Sequence, residues 1–316
     1  MKFAKLTKRA LTSSSKYIKY RLNGKKLDYP PQIDNIELTN HCGLNCSGCP
    51  RNLMKREKGY MNEKTFKRAI SQIKENTNTK FISLHHFGDP VLHPKIDEFS
   101  KIASSRDIDT LISTKGSSLE GKRLRGVLNS NISIVKFSWA GLSKEEFERF
   151  QEPISYQKTV KNVKKYIKRK PGRQTVKIEL LLYKKRPKKD VEKFVKKWKP
   201  IVDEVDIKRC SHWTGNSKKI KNLINRSGNK FTKFLAKTFF PPCPFPFESL
   251  SILYDGSVVP CCRDYDGRYI IGNIHKRDLD SLWNSEKMKK LRKLHLKGSR
   301  KKLELCKKCT KTLISI

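Results

Sequence analysis

The chain has few acidic residues and no long hydrophobic run. Its 316 residues include 30 Asp and Glu against 71 Lys and Arg, which gives a formal net charge of +41. No apolar stretch approaches the ~20 residues that a membrane-spanning helix needs, and residues 1–21 carry a basic or polar side chain every few positions. We therefore expect no membrane span, no export signal and a cytoplasmic location.

The chain also lacks collagen-like, coiled-coil and simple repeats. Hydrophobic residues make up 36% of it and aromatic residues 9%, which is enough for a substantial core despite the charge. The length suits one domain of average to large size with a smaller appendage. We expect a folded globular protein.

Nine cysteines are present, and in a reducing compartment they indicate metal ligands or reactive thiols in preference to disulfides. Cys42, Cys46 and Cys49 form a C-x3-C-x2-C run. Three thiolates in one loop can hold three corners of a cubane cluster and leave its fourth iron without a protein ligand. A zinc site that also uses His41 is the alternative interpretation.

The stretch 36–51 around this run, with Pro50 after the third cysteine, resembles the signature of the radical S-adenosylmethionine (SAM) enzymes. The resemblance implies that Cys42, Cys46 and Cys49 hold a [4Fe-4S] cluster whose fourth iron is chelated by SAM. It further implies that one electron from the cluster cleaves SAM to methionine and a 5'-deoxyadenosyl radical, which abstracts hydrogen from the substrate.

Short β-rich runs alternate with helical patterns along the chain. Six runs are predicted to be strands: 36–39, 81–85, 110–114, 132–138, 176–183 and 205–207. Apolar residues three and four apart predict helices between most of them, and Ser143 with Glu146 forms a capping box. This alternation predicts an α/β fold with a parallel sheet. The resemblance implies a partial (βα)6 barrel of the TIM type with a small C-terminal iron-sulfur domain.

In such barrels the active site lies at the carboxyl ends of the strands. Gly88, Asp89 and Pro90 follow the second run and resemble the family's Gly-Glu-Pro segment, which implies contacts to the SAM amino group. Asp89 is one methylene shorter than the family's Glu, and an ordinary Gly-Asp-Pro turn is the alternative. Glu179 lies in an apolar run and faces either the barrel lumen or solvent at a sheet edge.

Two later strand ends resemble further cofactor contacts of the family. Thr114 belongs to a segment similar to Thr-Asn-Gly, in which Lys115 replaces Asn. Ser138 belongs to a segment similar to Ser-x-Asp-Gly, in which Ala140 replaces Asp, and is a candidate contact to the SAM ribose or carboxylate. A Ser at a strand end also commonly satisfies backbone donors, so both interpretations stay open.

The remaining cysteines concentrate near the C-terminus. Residues 251–260 predict a hairpin with an Asp-Gly turn, followed by a Cys-Cys pair, one amphipathic helix over 279–294 and a C-x2-C pair. The order C-x12-G-x4-C, helix, C-x2-C resembles the shortened auxiliary-cluster domain called SPASM or twitch. The resemblance implies one auxiliary [4Fe-4S] cluster with four ligands: Cys243, Cys261, Cys306 and Cys309.

Four thiolates leave no iron of such a cluster open, so electron transfer or structure is the expected role. Cys261 fits the spacing from Gly256 better than Cys262 does, but the adjacent pair stays open. A zinc site with four cysteine ligands is the alternative for the group. Cys210 and Cys262 are then expected to be spare thiols.

Four segments are expected: a basic N-terminal extension at 1–30, the barrel at 31–207, a linker at 208–242 and the auxiliary domain at 243–316. In the extension, the spacing of the apolar residues at 3, 6, 10 and 11 predicts one face of a short basic helix. Such a helix packs on the barrel or touches an anionic surface.

The first functional hypothesis is a radical SAM oxidoreductase that acts on a sugar-like alcohol or on a peptide, with the auxiliary cluster as electron relay. It needs a reducing electron donor such as flavodoxin or ferredoxin. Alcohol oxidation also needs a base, for which His85, His86 and His212 are candidates by location.

Two other hypotheses come from the charge and from the departures. The basic composition suits a nucleic-acid-binding protein or an RNA-modifying radical enzyme, but the lysines are spread over nearly every predicted helix without a recognition motif. Asp89, Lys115 and Ala140, which depart from the family pattern, would suit a metal-stabilised binding module without catalysis.

Overall fold

A computed structural model describes residue 20 and residues 26–183, 185–209, 243–307 and 309. Cys210, His212, most of the predicted linker and the predicted N-terminal helix lie outside these residues. The described strands form a nine-stranded sheet in the order β6-β5-β4-β3-β2-β1-β7-β8-β9. Their bounds are β1 Gln32–Ile36, β2 Phe81–Ser83, β3 Asp109–Thr114, β4 Ile134–Ala140, β5 Thr175–Leu182, β6 Glu204–Arg209, β7 Ser249–Ile252, β8 Ser257–Val259 and β9 Gly272–Asn273.

Helices separate the first six strands, as the apolar spacing predicts. Those between β1 and β6 are α1 Glu63–Asn76, α2 Ile96–Ser104, α3 Gly121–Leu128, α4 Lys144–Phe150, α5 Tyr156–Arg169 and α6 Lys188–Trp198. The C-terminal part adds α7 Phe245–Glu248, α8 Leu279–Trp283, α9 Glu286–Leu296 and α10 Glu304–Lys307.

Strands β1 to β6 are parallel and neighbour each other in chain order. This confirms the predicted α/β fold with a parallel sheet and a small C-terminal domain. In the register, Ser138 of β4 lies opposite Glu179 of β5. All six strands therefore present their carboxyl ends at the same edge, where the cysteine loop also begins.

The first strand was predicted too late in the chain. The structure ends β1 at Ile36, so only the first residue of the run 36–39 belongs to the strand. Glu37 still donates its N–H to the Ile252 carbonyl at 2.9 Å, but Thr39 forms an antiparallel bridge with Tyr60. The β-rich run is extended as predicted, but its backbone turns away to carry the cysteine loop.

The two faces of the central strands differ in chemistry. On β4, Val135, Phe137 and Trp139 are almost fully buried beneath the helices. The alternate residues Lys136 and Ser138 point the other way, because side chains alternate along a strand. The apolar core therefore lies between sheet and helices, and the opposite, concave face is free to carry polar groups.

The predicted capping box forms with one change. The Ser143 hydroxyl accepts a hydrogen bond from the Glu146 N–H at 3.3 Å and begins α4. The Glu146 carboxylate returns to the Leu142 N–H at 2.9 Å, one residue before the cap. Both groups still satisfy N–H donors at the helix start.

The C-terminal hairpin is joined directly to the barrel sheet. β7 pairs in parallel with β1 and antiparallel with β8, which confirms the predicted hairpin. Its turn contains Gly256 with φ of +82°, a left-handed conformation that glycine adopts without strain. The barrel and the cysteines after β8 thus share one continuous sheet.

The single amphipathic helix predicted over 279–294 is two helices. α8 ends at Trp283, and the Ser285 hydroxyl accepts from the Met288 N–H at 3.4 Å to begin α9. The apolar spacing continues across the break, because both helices bury residues in the same core. No helix among the described residues combines the length and the apolar character needed to cross a bilayer.

The core contact between α1 and α2 yields a stability prediction. Phe66 and Phe99 are fully buried and stack at 4.4 Å between ring centroids. We expect Phe66→Ala to lower the free energy of unfolding by about 3 to 5 kcal/mol, because it leaves a cavity. Phe81→Ala, at a side chain that is 43% exposed, is the control and should cost far less. Urea unfolding followed by circular dichroism measures both, and equal losses would contradict the packing described.

Candidate active site

The three cysteines of the first group lie in one loop that follows β1. Cys42, Cys46 and Cys49 are half-buried free thiols. The loop is held by its backbone: Ser47 donates its N–H to the Phe150 carbonyl at 3.0 Å, and Cys49 to the Cys46 carbonyl at 3.0 Å. These two bonds anchor the loop to the end of α4 and form a turn within it.

Asn40 supports the loop from beneath and was missed by the sequence analysis. It is fully buried; its amide donates to the Glu57 carbonyl and accepts from the Gly59 N–H, both at 2.8 Å. These bonds tie the start of the cysteine loop to its end. A polar residue just before the first cysteine was the only signal in the sequence.

Gly88 and Asp89 lie directly against this loop. The Asp89 N–H donates to the His41 carbonyl at 2.8 Å, one residue before Cys42. A Cβ atom on Gly88 would lie 2.0 Å from the Thr39 carbonyl oxygen. Only glycine permits this approach, so the Gly-Asp-Pro segment is a close backbone contact with the loop.

The Asp89 carboxylate is buried and partly satisfied. It accepts from the Thr114 hydroxyl at 3.0 Å and from the Val91 N–H at 3.3 Å. Burial raises the pKa of Asp89 to about 6, although these hydrogen bonds and the Lys115 and Arg123 charges act to lower it. Near pH 7 the group is a buried carboxylate, and nearby cations compensate its charge only in part.

Lys115 and Ser138 meet at the ends of β3 and β4. The Lys115 ammonium donates to the Ser138 hydroxyl at 3.0 Å. Burial raises the pKa of Cys49, and the Lys115 charge opposes that rise, as it does at Asp89. Ser138 lies within β4 and not after it, and its hydroxyl contacts a side chain instead of a backbone donor. The predicted SAM contacts Asp89, Thr114 and Ser138 are thereby linked through residues 114–115.

Glu179 contributes to a charged group further along the sheet. β5 lies between β4 and β6, so of the two alternatives for Glu179 the one at a sheet edge is wrong. The Glu179 carboxylate pairs with Lys136 at 3.4 Å and with Lys208. These three side chains come from β4, β5 and β6 on the face opposite the helices, so the barrel lumen is lined by ion pairs.

A second buried ion pair joins the barrel to the C-terminal part. Arg56 donates to both carboxylate oxygens of Glu37, at 2.6 and 2.5 Å, and through Nε to the Tyr265 carbonyl at 2.8 Å. The Glu37 side chain is 0% exposed. The His86 Nε2 lies 2.8 Å from the Cys262 carbonyl oxygen. The signal for Glu37 in the sequence was a carboxylate in an apolar run, which needs a cation when buried.

Four distant cysteines line one cavity in the C-terminal part. Its walls include Cys243, Cys261, Cys306 and Cys309, the four predicted auxiliary ligands, and not Cys262. His295 also reaches it, with Nε2 at 3.6 Å from the Cys306 sulfur. His295 was not predicted, because it lies on the buried face of α9 without a motif around it.

The donor chemistry of both cysteine groups fits an iron-sulfur cluster. Burial raises the pKa of the Cys42, Cys243 and Cys306 thiols to about 12, so each must lose its proton when it ligates metal. None of the eight described cysteines forms a disulfide. As placed, no three Cys, His, Asp or Glu side chains of the described residues converge on the position of a single metal ion.

The candidate bases differ in their surroundings. Burial lowers the pKa of His85 to about 3 and that of His86 to about 4, so both imidazoles are neutral near pH 7. His86 is engaged with the Cys262 carbonyl, and His212 lies outside the described residues.

Family models match two parts of the chain. The model of the radical SAM superfamily matches residues 36–197, and the SPASM model, an iron-sulfur cluster-binding domain, matches residues 243–310. These matches indicate iron-sulfur clusters and SAM as the cofactors.

Two curated relatives cover most of the chain. The S-adenosyl-L-methionine-dependent 2-deoxy-scyllo-inosamine dehydrogenase of Niallia circulans is 23% identical over 280 residues, 87% of this chain and 90% of the relative. The tungsten-containing aldehyde ferredoxin oxidoreductase cofactor-modifying protein of Pyrococcus furiosus is 22% identical over 287 residues, 80% of each chain.

Solved structures share the fold. BtrN in complex with AdoMet and 2-DOIA has a TM-score of 0.59 at 20% identity, covering 90% of this chain and 94% of that one. Streptococcus suis SuiB bound to the precursor peptide SuiA has a TM-score of 0.63 at 17% identity, covering 86% of this chain and 68% of that one. The barrel with its C-terminal domain is the architecture of these enzymes.

The contact at Gly88 can be tested against a matched glycine in the cysteine loop. We expect Gly88→Ala to displace the loop and to reduce bound iron and SAM affinity severalfold, because its Cβ would collide with the Thr39 backbone. Gly43→Ala, next to Cys42 with nothing within 4 Å of its Cβ, should retain both. Iron analysis and equilibrium dialysis with labelled SAM measure the two quantities. Equal behaviour of the two variants would contradict the contact.

The adjacent cysteines after β8 give a second test. We expect Cys261→Ala to lose about four irons per chain and Cys262→Ala to keep them, because only Cys261 lines the four-cysteine cavity. Iron and sulfide analysis after anaerobic reconstitution measures the loss. The reverse pattern would assign the ligand to Cys262.

Proposed function

The chain belongs to the radical SAM superfamily, and we propose that Cys42, Cys46 and Cys49 hold a [4Fe-4S] cluster that cleaves SAM reductively. When bound, this cluster supplies one electron to SAM, and the products are methionine and a 5'-deoxyadenosyl radical that takes a hydrogen atom from the substrate. The observation that carries the proposal is the hydrogen bond from Asp89 N–H to the His41 carbonyl, since it joins a buried carboxylate to the cysteine loop.

The chain's own residues provide the environment that SAM requires. The negative charge of the buried Asp89 carboxylate is compensated only in part by nearby cations, and the SAM amino group would supply the missing positive charge. Thr114 orients the Asp89 carboxylate through its hydroxyl, and Gly88 and Pro90 shape the backbone beside it. Lys115 brings a positive charge to Ser138, where a carboxylate or a ribose hydroxyl would be accommodated.

We propose a sugar-like alcohol as the substrate, with a peptide side chain as the second candidate. The ion pairs of Lys136, Glu179 and Lys208 make the lumen polar, which suits a hydroxyl-rich molecule more than an aliphatic one. The dehydrogenase relative acts on such a compound by its name. The Streptococcus suis structure with a bound precursor peptide supports the peptide candidate.

An oxidation needs a second acceptor after hydrogen abstraction. Removal of a hydrogen atom from a carbinol carbon leaves a carbon radical, and loss of one proton and one electron then gives the carbonyl. We propose that an auxiliary [4Fe-4S] cluster on Cys243, Cys261, Cys306 and Cys309 accepts this electron. A flavodoxin or ferredoxin would supply the electron for the first cluster, in the reducing cytoplasm that free thiols favour.

The test is formation of 5'-deoxyadenosine. We expect the anaerobically reconstituted, dithionite-reduced protein to release it from SAM, and the Cys42→Ala, Cys46→Ala, Cys49→Ala variant to release none, because that variant lacks the ligands of the cluster that would deliver the electron to SAM. Liquid chromatography with mass spectrometry measures the product. The variant retains the C-terminal cysteines and so controls for iron bound elsewhere.

Deuterated substrates extend the test to the reaction. Transfer of deuterium from an aminocyclitol or from a peptide into 5'-deoxyadenosine would identify the substrate class. A wild-type protein with verified cluster loading that cleaves no SAM, with or without either class present, would contradict the proposed function and favour a binding module.

A further inference from the structure

The helical layer outside the barrel divides its charge unequally. Helices α3, α5 and α6 carry fourteen Lys and Arg against two acidic residues. Helices α1, α2 and α4, in the same layer, carry seven Lys and Arg against seven acidic residues. The net charge of +41 is therefore not uniform over the outside of the barrel.

Helix α5 shows the bias most strongly. From Lys158 to its end, every exposed residue is basic: Lys158, Lys161, Lys164, Lys165, Lys168 and Arg169. Lys158 pairs with Glu120 at 2.8 Å, and within the described ranges the structure shows no ion pair for the other five. Their charges face solvent and are available to a binding partner on this side of the molecule.

The neighbouring helices extend this surface. The ion pair between Lys158 and Glu120 links the start of α5 to the residue before α3. On the other side, the Lys197 ammonium of α6 donates to the Tyr156 hydroxyl at 2.8 Å. The exposed basic residues of the three helices thus form one continuous surface, which we call the cationic face: Lys122, Arg123, Arg125, Lys158, Lys161, Lys164, Lys165, Lys168, Arg169, Lys188, Lys189, Lys193, Lys196 and Lys197.

The composition of the cationic face argues for one kind of partner. No aromatic side chain of the three helices is exposed, so the face offers no platform on which unpaired bases could stack. Lysines outnumber arginines, and lysine acts as a point charge instead of a bidentate reader of one phosphate. A broad array of such charges complements a dense, fluid layer of anionic head groups.

We propose that the cationic face binds the surface of an anionic bilayer through electrostatic attraction, without insertion. The sequence supplies a second basic segment, since residues 2–26 contain nine Lys and Arg and no acidic residue. The cysteine loop and Gly88 lie at the carboxyl ends of the strands, whereas the cationic face lies on the outer sides of the helices, so an adsorbed molecule keeps its candidate active site free. This proposal does not depend on the proposed function.

Cosedimentation of the full chain with vesicles tests the proposal. We expect binding to vesicles of phosphatidylcholine mixed with phosphatidylglycerol, and none to phosphatidylcholine alone. Raising the salt from about 0.1 to about 0.5 M should release the protein, because exposed charges are then screened over a shorter distance.

Charge-reversal variants locate the contact. We expect Lys161→Glu, Lys164→Glu, Lys165→Glu and Lys168→Glu together to weaken vesicle binding at least about tenfold. The matched control reverses four exposed lysines elsewhere, with the same change in net charge: Lys64→Glu, Lys74→Glu, Lys80→Glu and Lys101→Glu. The control should lose clearly less affinity. The four α5 lysines changed to Gln give a milder set, expected to fall between wild type and the Glu set, and circular dichroism melting checks the fold of each variant.

Three results would overturn the proposal. One is failure of the wild type to bind the phosphatidylglycerol vesicles. Another is an equal loss in the α5 and control sets, which would make the attraction a property of the total charge. The third is tighter binding of the same face to a duplex RNA probe at equal salt, which would make nucleic acid the partner. None of these results bears on 5'-deoxyadenosine formation, so the two proposals fail separately.

Discussion

The arrangement of the candidate site depends on the buried ion pair between Glu37 and Arg56. Glu37 is the residue directly after β1, and Arg56 belongs to the segment that follows the cysteine loop. The same guanidinium reaches the Tyr265 carbonyl, while the Lys55 and Arg56 N–H groups both donate to Asp266. Removal of one partner would leave a buried charge uncompensated, at a cost of about 3 to 5 kcal/mol. One pair therefore fixes the strand end, the cysteine loop and the C-terminal part relative to each other.

The shared sheet makes this arrangement a consequence of the fold. β1 pairs with β2 on one side and with β7 on the other, so it is the common neighbour of the barrel and the C-terminal hairpin. The cysteine loop follows β1, and Cys261 follows the strand that pairs with β7. A contact crosses between the two regions where the His86 imidazole meets the Cys262 carbonyl. Two cysteine groups that are far apart in sequence are thus attached to adjacent parts of one sheet.

Local patterns allowed much of the fold to be predicted, whereas the long-range polar contacts could not be. The spacing of Phe66, Ala69, Ile70 and Ile73 predicts α1, because a helix buries residues three and four apart. The run 36–39 has the composition of a strand, but only Ile36 pairs within the sheet and Thr39 pairs with Tyr60, which composition does not reveal. No sequence motif surrounds Arg56 or His295. Their roles become visible only through the contacts that folding creates, between Arg56 and Glu37 and between His295 and Cys306. The resemblance to the SPASM or twitch domain implied the four cysteines that line one cavity, although they are far apart in the sequence.

The three departures from the family pattern also form a consistent chemical change. Lys115 replaces an amide with a cation, and that cation bonds Ser138 and opposes the rise in the pKa of the buried Asp89. Ala140 replaces a carboxylate, and it packs with Phe150 and Tyr183 in a small apolar cluster whose rings stack at 3.9 Å. Relative to the pattern, the site gains one positive charge and loses one negative charge. Lys115 is hydrogen-bonded to Ser138 and the Ala140 methyl group is packed, so these two positions make the candidate site more positive than the family pattern without leaving either side chain unpartnered.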